Sequence, residues 1–120
     1  MRHGWFALGG LILVLSSCVA LQPPELRVLT YNIHHGRGAD GQVDLERIAE
    51  VILSTRPDLV ALQEVDRRTD RANNADQAQV LALLTGMEAH FGRAIDFDGG
   101  EYGEAVLLGL QGGAPHTHPL

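Results

Sequence analysis

Two polar side chains stand where apolar segments come to an end. Asn32 lies near the close of "LRVLTYNI", and Glu64 closes "DLVALQE". A carboxylate in such a place can hold a hard cation such as Mg2+, which prefers oxygen ligands and keeps several waters. An amide beside it can donate to a phosphate oxygen or orient a ligand. The bland reading is a strand turning polar as it leaves the core, and spacing alone does not separate the two. His34 and His35 follow Asn32 directly; His35 reads as a loop residue. His116 and His118 form a His-x-His with no adjoining acid and read as an exposed tail. The single cysteine, Cys18, rules out an internal disulfide framework and a Cys-rich zinc site.

The elements that must position Asn32 and Glu64 follow from local pattern. Leu26–Ile33 is rich in β-branched, aromatic and aliphatic residues and predicts a strand. "HHGRGADGQV" is a glycine-rich loop. In "DLERIAEVILSTR", Leu45, Ile48, Ala49 and Ile52 share one helical face, Asp44 is an N-cap and Pro57 stops the helix. Asp58–Glu64 is a nearly continuous apolar strand, as expected when both faces are buried. A strand–helix–strand unit makes the two strands parallel neighbours with a right-handed crossover. Both strand C-termini then meet at one sheet edge, outside which open α/β sheets bind ligands.

Val65 to Asn74 reads as a polar loop. "ADQAQVLALLTG" predicts a helix with Gln77, Val80, Leu81 and Leu84 on one face and Gly86 as C-terminal cap. "MEAHFGRAIDF" and "GEAVLLGL" predict two more strands around a turn in "DGGEYG". The tail "QGGAPHTHPL" has no periodicity.

The chain of 120 residues suits one small domain or part of a larger one, and 45% hydrophobic residues suffice for a core. Its net charge is -6, and all nine basic residues are Arg. That balance argues against broad nucleic-acid binding, and 5% aromatic residues leave few rings for base stacking. A phosphate substrate stays open if a metal ion supplies positive charge.

"MRHGWFALGGLILVLSSC" has a basic start and an apolar run from Trp5 to Leu15, too short to span a bilayer comfortably. "LSSC" resembles a bacterial lipobox, which implies a signal peptide over residues 1–17, acylation of Cys18 and a tether over 18–25. The resulting expectation is an exported lipoprotein anchored in the cell envelope. An ordinary cleaved signal peptide, giving a secreted or periplasmic protein, and an uncleaved anchor with an incidental cysteine are the alternatives.

"LRVLTYNIHHG", then a helix, then "RPDLVALQEVD" resembles the start of the endonuclease/exonuclease/phosphatase superfamily. That superfamily includes DNase I-like nucleases, abasic-site endonucleases, neutral sphingomyelinases and inositol-polyphosphate 5-phosphatases. The likeness continues through "DQAQVLALLTGM" and "FGRAIDFDGGEYGEAVL". It implies an α/β fold that is the N-terminal part of a two-sheet α/β sandwich (DNase I-like), truncated, over residues 26–120. It also implies metal-dependent hydrolysis of phosphate esters with Mg2+ (or Mn2+). Glu64 would be the metal ligand, Asn32 the active-site asparagine beside the metal, and His34 a polar residue of the cleft. Nucleic acid, phospholipid head group and inositol phosphate all remain open as substrate.

The resemblance further implies an Asp-x-Asn pair and a water-activating Asp-His pair that these residues do not include. Glu104 stands where many relatives have Asn, and "LGLQGGAP" departs from their continuation. A frame-shifted stretch from about Leu108 to Thr117 would account for that departure; the gene's other frames test the hypothesis, and no family-like peptide in either frame would count against it. Half a sandwich would leave a sheet face and a strand edge uncovered, so residues 18–120 alone are expected to be poorly soluble or molten, and inactive on phosphodiesters. The alternative function is a non-catalytic truncated lipoprotein serving at most as a binding or structural module.

Overall fold

The computed structural model describes residues 3–4 and 23–109. Apart from His3 and Gly4, the signal-peptide segment, together with Cys18 and the His116/His118 tail, lies outside the described residues. Pro23 to Arg27 are exposed and without regular structure.

Four strands and two α-helices alternate along the chain: β1 (Val28–Asn32), α1 (Leu45–Thr55), β2 (Leu59–Arg67), α2 (Gln77–Thr85), β3 (Met87–Phe97) and β4 (Gly100–Gly109). Short 3-10 turns occupy His34–Gly36 and Asp70–Ala72. The sheet order is β1-β2-β4-β3. β1 and β2 run parallel, Asn32 beside Gln63, while β4 is antiparallel to both of its neighbours. The expected parallel pair is therefore present, with β1 ending beside the middle of β2.

Local chemistry explains the helix ends. Asp44 Oδ1 accepts from Arg47 N at 2.9 Å and starts α1. Arg56 takes a left-handed conformation (φ 48°) after its last turn, and Pro57 follows. Asp76 caps α2 through Gln79 N, and Gly86 (φ 71°) ends it.

Both helices pack on one face of the sheet. Ile48, Ala49 and Ile52 of α1 and Ala78 and Leu81 of α2 meet Val60, Leu62 and Val65 of β2 and Ala105 and Leu107 of β4. The opposite face, which carries Thr30, Asn32, Glu88, His90, Glu104 and Val106, is exposed.

Four expectations need correction. β2 does not end at Glu64: Val65, Asp66 and Arg67 continue it, paired with Gly103, Tyr102 and Glu101. The polarity of these residues hid the strand, because Asp66 is buried with a partner rather than returned to solvent. β2 buries one face, and the residues of the other are half-buried rather than enclosed. In α2 the buried set is Gln77, Ala78, Leu81 and Ala82, whereas Leu84 is exposed. Small alanines let the helix lie close, so the covered stripe is rotated from the one its larger residues suggest. The turn in "DGGEYG" is only Asp98–Gly99, both at positive φ (47° and 78°), a tight hairpin that leaves Gly100 to Gly103 in β4. Leu108 and Gly109 remain in β4, opposite Leu59 and Met87.

Candidate active site and family

A bulge in β2 shapes the site. Leu62 pairs with Ala105 and Val65 with Gly103, so Gln63 and Glu64 together face the single residue Glu104. Such a bulge breaks the two-residue alternation and re-aims one side chain. Glu64 is the re-aimed residue, with φ 58°. A left-handed non-glycine residue costs about 1–2 kcal/mol, so the surrounding contacts must hold it there. Gly103, next to Glu104 in β4, must be glycine for the packing of β3, because a Cβ at that position would collide with Gly92 O.

Asn32 holds both sides of the cleft. Its Nδ2 donates to Glu64 Oε1 at 2.8 Å, and its Oδ1 accepts from His34 N at 3.0 Å. The second bond is a side-chain turn that folds the chain back just after β1. His34 (φ 49°) and His35 (φ 43°) then adopt left-handed conformations in succession. Strained backbone of this kind persists where its surroundings over-determine it, and it clusters at functional sites.

Gln77 supplies much of that constraint. Fully buried at the start of α2, it donates from Nε2 to His35 O at 2.8 Å and accepts at Oε1 from Asp66 N at 3.0 Å. It thereby ties the histidine loop to β2. These bonds use His34 N and His35 O, which are backbone atoms, and leave the two rings to line the cleft.

The resulting cleft is about 210 Å³ and is lined by His34, His35, Glu64, Arg71, Ile95, Phe97 and Tyr102. Ligand atoms of His34, His35 and Glu64 all lie within 4.8 Å of one another, a group that could hold a metal ion. Burial, then the charges of Arg71 and His34, hold the His35 pKa below its ordinary value. That favours the neutral ring, the form able to ligate. The donor set fits a divalent cation. Glu64 Oε2 is not used by Asn32, and water would complete the shell for an oxygen-preferring ion. The two imidazoles extend the set towards ions that accept nitrogen.

Behind the cleft, Asp66 is fully buried. It accepts from Thr69 Oγ1 at 2.7 Å, Arg71 Nε at 2.6 Å and Arg71 Nη2 at 2.8 Å. Burial pushes its carboxyl up, but the hydrogen bonds from Arg71 and Thr69 and the charge of Arg71 outweigh that and hold it low. Tyr102 is pushed up by burial and by the Glu64 carboxylate, so its phenol keeps its proton.

Glu64, Asn32 and His34, the residues selected from sequence, therefore converge on one corner. Sequence reasoning missed His35, Arg71 and Tyr102. The paired αL histidines carry no sequence signal, and Arg71 and Tyr102 reach the cleft only once the β3–β4 hairpin folds beside β2.

The sequence profile described as "Endonuclease/Exonuclease/phosphatase family" matches residues 29–114. A crystal structure of an endonuclease/exonuclease/phosphatase from Beutenbergia cavernae is similar at 32% identity and TM-score 0.56, over 69% of this chain and 25% of that one. An endonuclease/exonuclease/phosphatase family protein from Leptotrichia buccalis shares the fold at 21% identity and TM-score 0.54, over 70% of this chain and 38% of that one. The chain thus spans about a quarter and under two-fifths of these two proteins. No curated protein matches it. The profile match extends over most of the chain and includes both Asn32 and Glu64: this chain belongs to the endonuclease/exonuclease/phosphatase family.

Proposed function

We propose that this chain supplies the Asn32–Glu64 corner of a phosphoesterase that uses a divalent metal ion, Mg2+ or Mn2+. The supporting observation is the 2.8 Å bond from Asn32 Nδ2 to Glu64 Oε1, which joins the C-terminal end of β1 to the bulge of β2. In this reading Glu64 is the metal ligand. Asn32 orients it and keeps the second lone pair of Oδ1 for the ion, and His34 lines the cleft and contacts substrate. When bound, the ion would supply Lewis-acid stabilisation of charge on a phosphoryl oxygen. The protein's own share is positional: Asn32 fixes the carboxylate, Gln77 fixes the histidine loop, and Ile95 and Phe97 form the apolar part of the cleft wall.

The substrate is a phosphate ester. An anchor at Cys18 would place the enzyme at the cell envelope, where phospholipid head groups and extracellular nucleotides or nucleic acids are all within reach. The test joins residues 18–120 to a segment that supplies the Asp-x-Asn and Asp-His pairs and follows hydrolysis of bis(4-nitrophenyl) phosphate with Mn2+, with Mg2+ and with EDTA. The reading expects turnover with metal, none with EDTA, and loss of turnover in Glu64→Ala. Metal-independent turnover, or turnover unchanged in Glu64→Ala, would overturn it.

A further inference from the structure

The Asp66–Arg71 pair is not explained by stability alone. Replacing a buried ion pair with well-packed apolar residues is often neutral or stabilising. Here a fully buried carboxylate is spent on fixing one guanidinium at the wall of the cleft. The bidentate contact uses Arg71 Nε and Nη2, and among the described residues Nη1 carries no hydrogen bond. The guanidinium carbon lies 4.4 Å from the Phe97 ring centre and 5.7 Å from that of Tyr102, which limits its swing. Its backbone is held as well, with Arg71 N donating to Asp98 Oδ2 at 2.8 Å. The side chain nevertheless stays one-third exposed (33%).

We infer that Arg71 is an anion-binding residue of this cleft, presenting Nη1 to a phosphoryl oxygen of the substrate. This rests on the phosphoesterase reading for its substrate class. The Asp66–Arg71 pair acts as a fixed dipole with its negative end buried and its positive edge towards Glu64, His34 and His35. A planar guanidinium locked on one side has its remaining donors aimed in advance, which a lysine ammonium would not provide. The arrangement also answers a problem of charge. In a chain of net charge -6, an anionic ester approaching Glu64 needs a local donor beyond the metal.

The experiment uses the whole chain, metal-free in EDTA, titrated with inorganic phosphate near pH 8, well above the ordinary His pKa of about 6.5, so that imidazoles stay neutral. The Arg71 Nε–Hε resonance is assigned by its absence in Arg71→Lys, a variant that keeps a cation for Asp66 and so keeps the fold. The expected result is a saturable shift of that resonance, with phosphate affinity about tenfold weaker in Arg71→Lys, as for loss of a hydrogen bond to a charged group. Glu64→Gln, which removes the neighbouring negative charge, should tighten phosphate binding. No shift at Arg71, or equal affinity in Arg71→Lys, overturns the inference. Mn2+ binding is scored separately: metal bound at Glu64 with Arg71 silent sinks this inference alone, while an Arg71 response without metal binding sinks only the phosphoesterase reading.

Discussion

Two acidic residues bracket the first half of β2, Asp58 just before Leu59 at its lower end and Glu64 at the bulge above, and the two positions use their carboxylates in opposite ways. At the lower end Asp58 is committed to backbone. Its Oδ2 accepts from Arg27 N at 2.7 Å, its N donates to Arg27 O at 2.8 Å, and its O accepts from Gly109 N at 2.7 Å. A groove of about 450 Å³ opens there, larger than the upper cleft, yet the Asp58 carboxylate in it serves to fasten the sheet. At the upper end Glu64 is held through one oxygen by Asn32, on a strained backbone, with two imidazoles beside it. A site is therefore identified here by unspent ligand atoms and by backbone held against its preference. Cavity size alone would have selected the wrong end.

The largest expected effect comes from disturbing what stands behind the upper end. Arg71→Ala leaves Asp66 buried with only Thr69 as its side-chain donor, and losing one partner of a buried pair costs about 3–5 kcal/mol. Urea denaturation should show a loss of that size, and a change below about 1 kcal/mol would mean that Asp66 rehydrates freely. Gln77→Leu should cost about 1–3 kcal/mol by leaving Asp66 N and His35 O unpaired. It should also weaken Mn2+ binding, as loss of a group that supports metal ligands does by about 10–100-fold. Asp58→Ala is the matching change at the lower end. It should cost about 0.5–1.5 kcal/mol and leave Mn2+ affinity untouched; reduced Mn2+ affinity there would remove the contrast between the ends.

Acid sharpens the same comparison. The Asp66 carboxyl is held below its usual range, so its folded pKa lies under the unfolded value of about 3.9. The group's contribution to stability is then whole above about pH 4 and is lost as pH falls through the folded value. Circular dichroism should show native protein losing stability below about pH 4, with a shallower acid dependence in Asp66→Asn. Identical acid dependence in the two proteins would contradict the role given to the pair.

Much of the scaffold was legible because its signals are local. Asp44, Pro57 and Gly86 mark helix ends through their own backbone chemistry, and the apolar period of α1 reads directly as its buried face. Glu64 and Asn32 were legible from strand-end position together with family likeness. What escaped depends on contacts distant in sequence. Asp66 looks like a loop acid until Arg71 and Thr69 are seen to neutralise and bind it, so the last three residues of β2 were lost to a polar loop. His35 looks like a loop residue until the amide of Gln77, 42 positions away, draws its carbonyl inward. Tyr102 was assigned to a turn because glycines surround it, although Gly103 serves the close approach of β3 rather than a turn.

The central claim is that Glu64, presented by a bulge and held by Asn32, is a metal ligand. The most direct measurement is a Mn2+ titration of the chain followed by the electron paramagnetic resonance of free Mn2+, with native protein and Glu64→Ala compared at pH 7. One saturable site is predicted in the native chain, with affinity lowered by more than about 100-fold in the variant, beyond the loss typical of supporting residues. Equal Mn2+ affinity in the two proteins, with both folded, would contradict the claim.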